Sequence, residues 1–85
     1  MKDLLIKPDG VIEEVDTPDN RAYTLKEMQK IVGGYVQLVY LSKGRVMMVD
    51  EEGLYKNYKY NEKASKMAGQ SIVGTVLVTK RDKIN

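Results

Sequence analysis

The sequence predicts a small α+β domain: an antiparallel sheet of about four to five strands, made of two hairpins and a C-terminal strand, with one or two short helices. Three observations predict it. Pro8-Asp9-Gly10 and Ser42-Lys43-Gly44 each separate two short apolar runs, as hairpin turns do. Thr24-Leu25-Lys26-Glu27 opens a capping box just ahead of an apolar stripe at helical spacing. Ile72-Val73-Gly74-Thr75-Val76-Leu77-Val78 is a β-branched run long enough for one further strand.

The elements follow in order. Residues 2–7 form an apolar run that Pro8-Asp9-Gly10 stops, and Val11 to Asp16 alternates apolar with acidic residues, which predicts the first hairpin. Thr17-Pro18-Asp19-Asn20 reads as a polar connector. Thr24 caps a helix over 25–32, with Leu25, Met28, Ile31 and Val32 as its buried stripe and Gly33 as the left-handed stop. Tyr35 to Leu41 and Arg45 to Asp50 form the second hairpin. Val36, Leu38 and Tyr40 share one face of its first strand, while Tyr35, Gln37, Val39 and Leu41 share the other. Both faces are apolar, so a sheet covered by one helix would leave one free as an interface. Asn61 caps a second helix over 62–67, ended by Gly69. Gly74 within the last strand marks a bulge or a close backbone approach. Residues 80–85 read as a frayed tail.

With 85 residues, the chain has room for one domain, 1–85, with a modest core, for which homo-oligomerisation is a common support. It contains no cysteine and no histidine. That excludes thiol and imidazole catalysis and nearly every zinc site, and no nucleophile-base pair or cofactor motif is visible. Asp50-Glu51-Glu52-Gly53 lacks calcium-loop spacing and reads as a solvated turn, so no metal is expected. No apolar stretch is long enough to span a bilayer, and a cytoplasmic location is expected. Net charge is +2, divided between −4 over residues 1–20 and +6 over residues 21–85. The basic part suits an anionic partner, while the acidic start disfavours extended DNA.

Tyr55-Lys56-Asn57-Tyr58-Lys59-Tyr60-Asn61 is the most informative stretch. Half of the six tyrosines lie here, and the chain has no Phe and no Trp. Rings with a hydrogen-bonding tip, interleaved with ammonium groups, suit bases and phosphates, and stacking is worth about 1–3 kcal/mol per base. The candidate ligand-binding residues are Tyr40, Arg45, Tyr55, Lys56, Tyr58, Lys59, Tyr60, Asn61 and Thr75. Tyrosines would stack, Arg45, Lys56 and Lys59 would meet phosphates, and Asn61 and Thr75 would read base or ribose edges. The glycines in Val32-Gly33-Gly34-Tyr35 follow a helix rather than precede one, so they form a cap and not a phosphate loop.

Thr24-Leu25-(x2)-Met28-Gln29-(x2)-Val32-Gly33-Gly34-Tyr35-Val36, then Val49-Asp50-Glu51-Glu52-Gly53-Leu54, Asn61-(x2)-Ala64-Ser65 and Ile72-Val73-Gly74-Thr75-Val76, resemble the family catalogued as domain of unknown function 3846. The resemblance runs over about residues 2–79. It implies a small α+β domain frequent in phages and mobile elements, with no assigned catalytic residues. Phage proteins of this size often act on host defence, among them sponges that sequester cyclic nucleotide signals such as those of CBASS. The function expected is therefore non-enzymatic capture of a small anionic nucleotide, a cyclic di- or trinucleotide first. The alternatives are a protein inhibitor that docks on a host enzyme through the exposed sheet face or an edge strand, and a single-stranded nucleic-acid module that uses the Tyr/Lys segment.

Overall fold

The computed structural model describes residues 3–17 and 21–84. Its centre is one five-stranded sheet: β1 (Asp3–Ile6), β2 (Ile12–Val15), β3 (Val36–Tyr40), β4 (Arg45–Asp50) and β5 (Val76–Lys80), in the spatial order β2-β1-β5-β4-β3. All neighbouring pairs are antiparallel. Both expected hairpins form, and the C-terminal strand inserts between them as the central strand. The connector residues 18–20 lie outside the described residues. Thr17 just before them is buried, and its hydroxyl donates to the Arg21 carbonyl.

Helix α1 (Leu25–Val32) starts at Thr24, whose hydroxyl accepts the Glu27 amide at 3.2 Å while the Glu27 carboxylate accepts the Thr24 amide at 2.9 Å. Gly33 ends it with φ 94°, a conformation that favours glycine. Arg21 grips the Glu27 carboxylate with both guanidinium nitrogens, at 2.7 and 2.6 Å. Met28 and Val32 are buried, but Leu25 is exposed. Helical side chains lean toward the N-terminus, so a first-turn residue reaches past the helix and its stripe begins one turn later.

Helix α2 (Glu62–Ala68) covers the opposite face of the sheet, so neither face is left bare as the expected interface. Met48, Leu77, Leu38 and Val36 pack against Tyr23, Met28 and Val32 on the α1 side. Ile6, Met47, Val49, Val76 and Val78 pack against Ala64, Met67 and Ile72 on the α2 side. The alternation of side chains along each strand divides the core into these two layers. Methionine, adaptable in shape, supplies the adjacent central pair Met47 and Met48, one to each layer.

The expected frayed tail is docked through Ile84. Residues Arg81–Lys83 form a 3₁₀ turn, and Ile84 bridges to Tyr23. Lys83 is buried and donates to Asp3 at 2.7 Å and to Asp16 at 3.1 Å. Asp3 also accepts the Tyr23 hydroxyl and the Thr79 hydroxyl, each at 2.7 Å. Burial alone would raise the Asp3 pKa, yet these three donors overcome it and hold the carboxyl below its ordinary range. A buried carboxylate needs such partners, and one of them comes from the tail.

Candidate functional site

The residues expected to form one binding surface fall at both ends of the sheet. Arg45 begins β4 opposite Lys80, one residue before the Val46 partner of Tyr40, whereas Asp50 ends β4 beside Val36. Five strand steps, about 16 Å, separate those ends. The Tyr/Lys segment belongs with Asp50, and Tyr40 and Arg45 belong to the other end.

At the Asp50 end, much of the segment is committed to the fold. Asp50 is buried, not a solvated turn residue as its sequence context suggests. Its carboxylate accepts Lys56 Nζ at 2.8 Å, the Tyr58 hydroxyl at 2.9 Å and the Glu52 amide at 2.9 Å. Burial opposes the charge, but these donors keep the carboxyl below its ordinary range, and Lys56 and Tyr58 are raised in turn by their bonds to it. Lys56 also donates to the Gly33 carbonyl at 3.3 Å. The Tyr58 ring lies on Gly74, where a Cβ would stand 2.9 Å from a ring carbon. Gly74 takes φ 79° to allow that approach, and it precedes β5 instead of bulging it.

Asn61 leaves the set of ligand contacts. Only 1% exposed, it caps α2 by accepting the Ala64 amide at 3.1 Å, and it donates to the carbonyls of Ile6 at 3.0 Å and Gly74 at 2.8 Å. Its amide is spent on tying α2 to β1 and to the approach of β5. Tyr55 and Tyr60 are exposed, and Tyr55 projects beside an exposed Leu54. Tyr58, Lys59 and Thr75 do meet, with Lys7, Pro8, Ile31 and Val32, around a concavity of about 540 Å³. Its charges nearly cancel. Asp9 lines it together with Lys59, and Lys7 is paired with Glu13 at 3.0 Å.

The other end is strongly cationic. Lys43, Gly44, Arg45, Lys80, Arg81 and Asp82 line a hollow of about 310 Å³, four cations against one carboxylate. The hairpin turn sets Lys43 at φ 61°, a region a lysine rarely takes, next to Gly44 at φ 71°. The Arg81 amide donates to the Gly44 carbonyl at 2.9 Å and so closes the hollow's floor. Arg45 Nε is buried with no hydrogen-bond partner among the described residues. Unpaired buried donors are uncommon, because their desolvation is uncompensated. Tyr40 is exposed on β3, and the Arg81 guanidinium lies 4.9 Å from its ring centre. The hollow therefore keeps Arg45 from the expected set, and Tyr40 is linked to it only through Arg81. It adds Lys43, Lys80 and Arg81, which had looked like a turn lysine and a frayed tail. The only sequence signal was the dipeptide Lys80-Arg81, and only strand pairing sets it against Arg45.

Among the described residues no group of His, Cys, Asp and Glu is placed to hold a metal ion, and no helix is long and apolar enough to cross a membrane.

Fold and site together define a small antiparallel α+β domain with a cationic hollow at one end of its sheet. A family model described as a domain of unknown function (DUF3846) matches residues 1–85, and the chain belongs to that family. Comparison with curated proteins and with solved structures finds no match at a significant level.

Proposed function

We propose that this domain is a non-enzymatic binding protein that captures a small phosphate-bearing ligand, a cyclic di- or trinucleotide first. The observation that carries the reading is the hollow at Arg45. Four cations from two strands and two turns converge there, none with a carboxylate partner within ion-pair distance among the described residues. A guanidinium with open donors suits phosphate oxygens, which accept two parallel hydrogen bonds from it. Tyr40 beside Arg81 offers a ring on which a base can stack, adding to the phosphate term. The sequence carries neither histidine nor cysteine to supply acid-base or thiol chemistry, which favours capture over turnover. The phage and mobile-element setting implied by the family resemblance supports a sponge acting on a defence signal of the host.

The test is a thermal-shift panel of cyclic di- and trinucleotides, linear nucleotides, inorganic pyrophosphate and short single strands. A ligand at a hundred times its dissociation constant adds about 2.7 kcal/mol, which for a domain this small moves the midpoint by on the order of 10–20 °C. Arg45→Gln removes the shift, while Lys59→Gln, at the opposite end, retains it. A flat panel overturns the reading. Affinity that grows with strand length and falls steeply with salt replaces it with single-strand binding.

A further inference from the structure

The sheet has two edges of opposite character, β2 and β3. An open edge exposes backbone donors and acceptors, and folded proteins usually protect it with charge, proline or a cover. On β2, Glu13 and Glu14 are both exposed, and Asp16 follows. Antiparallel pairing of β2 with its own copy through its outward amides sets Glu13 against Glu13 or Glu14 against Glu14. That edge repels itself.

Strand β3 has no such guard. Residues 35–41 read Tyr-Val-Gln-Leu-Val-Tyr-Leu, with no charge and no proline. The Tyr35 carbonyl accepts the Glu51 amide and the Leu41 amide donates to the Arg45 carbonyl, so the odd-numbered residues bond to β4. In an antiparallel ladder the alternate residues then face outward. The free N–H and C=O groups therefore belong to Val36, Leu38 and Tyr40. Placing a two-fold axis at Leu38 uses all of them: Leu38 meets Leu38, and Val36 meets Tyr40 in both directions. Every cross-strand pair in that register is uncharged, including Gln37 with Val39 and Tyr35 with Leu41.

We infer that a second copy of this chain pairs with β3, antiparallel about Leu38, to give a closed two-fold dimer with one continuous sheet. Such an interface is isologous, so it stops at two subunits, whereas addition of a β2 edge to a β3 edge would run on without closing. The capture site proposed above does not depend on it.

Light scattering coupled to size exclusion, from about 10 to 300 µM protein, tests the assembly; an association this small in contact area is expected to show within that range. The expected mass is twice 9.7 kDa. Gln37→Lys puts an edge-blocking charge on an exposed position and returns a monomer that still melts cooperatively, its midpoint no longer dependent on concentration. Glu14→Gln, on the other edge, leaves the dimer intact. Leu38→Cys fixes the register. The two cysteines face each other at a Cα separation of about 5.5 Å, within disulfide range, in a chain that has no other cysteine. Rapid covalent dimer formation is expected on mild oxidation. A monomer throughout the range, a dimer that survives Gln37→Lys, a mass that climbs beyond two subunits, or no cross-link at position 38 each overturns the inference.

Discussion

Two carboxylates on the α1 side of the sheet, Asp3 and Asp50, solve one problem with the same kinds of partner and differ in what they hold together. Each accepts a tyrosine hydroxyl and a lysine ammonium group: Tyr23 and Lys83 for Asp3, Tyr58 and Lys56 for Asp50. Asp50 finds its partners six and eight residues along the chain, so its cluster shapes one local turn. Asp3 finds Tyr23, Thr79 and Lys83, separated from it by 20, 76 and 80 residues, so its cluster ties the first strand to the last turn. The cations also differ in setting. The Lys83 side chain is 9% exposed and that of Lys56 35% exposed. A cation that can turn to water loses little when its partner goes, whereas one held inside cannot replace that partner with water.

Three measurements sharpen that contrast, beginning with the largest effect. Asp3→Ala takes from the buried Lys83 its closer carboxylate, leaving it Asp16 at 3.1 Å, and leaves the Tyr23 and Thr79 hydroxyls without their acceptor, and should cost about 3–5 kcal/mol. At 4–8 °C per kcal/mol for a domain of this size, a thermal melt should fall by more than about 12 °C. A drop of only a few degrees would mean the tail is not docked in solution. Asp50→Ala should cost less, about 1–3 kcal/mol, since Lys56 is free to reorient. If chemical denaturation ranks Asp50→Ala as the more damaging of the two, burial of the cation is not what separates the clusters.

The smallest effect is in the pH profile. Both carboxyls lie below their ordinary value in the folded chain, so the unfolded chain takes up protons first as pH falls. Their contribution is complete above the ordinary carboxyl value of 3.8 and is lost as pH drops through the lower folded values. Lys83 and Tyr23 are raised: burial opposes charge on Lys83, but Asp3 and Asp16 overcome it, while burial and Asp3 together push Tyr23 up. Their contribution is present below the ordinary values of 10.5 and 10.0 and is lost at higher pH. Unfolding free energy should therefore hold a plateau from about pH 5 to 10 and fall on both sides, with Glu27, held at about 2 by its bonds to Arg21 and Thr24, adding to the acid limb. Asp3→Asn should flatten both limbs. Asp50→Asn should flatten the acid limb and, through Lys56 and Tyr58, the alkaline limb to a smaller extent, because Lys56 is more exposed than Lys83. Flattening of the alkaline limb by Asp50→Asn as large as that by Asp3→Asn would contradict the tighter hold of Asp3 on the buried Lys83 and Tyr23.

Much of the fold was legible in the chain. The Pro8-Asp9-Gly10 turn, the Thr24 to Glu27 box, the Gly33 and Gly69 caps and the second hairpin all depend on neighbours within a few residues, and all stand where their chemistry put them. Less of the site was legible. The alternation of Tyr and Lys from 55 to 60 looked like a solvent-facing surface, but Lys56 and Tyr58 turn in on Asp50, and Asn61 is buried as a cap. Composition cannot distinguish an outward ring from one packed on a glycine 16 residues ahead, because that depends on where Gly74 passes.

By itself the sequence determined both hairpins, both helices with their caps and the absence of thiol and imidazole chemistry, since capping, turn and side-chain chemistry act over short range. It misplaced the last strand, which runs from Val76 to Lys80 and not from Ile72. Tertiary structure alone decided that β5 enters the middle of the sheet, and much follows from that insertion. It separates β2 from β3 as the two edges, brings Lys80 beside Arg45 to build the hollow, and carries Lys83 to Asp3. Each of these depends on which strand pairs with which. That is a long-range choice, settled by burying both apolar faces at once and not by any local signal in the chain.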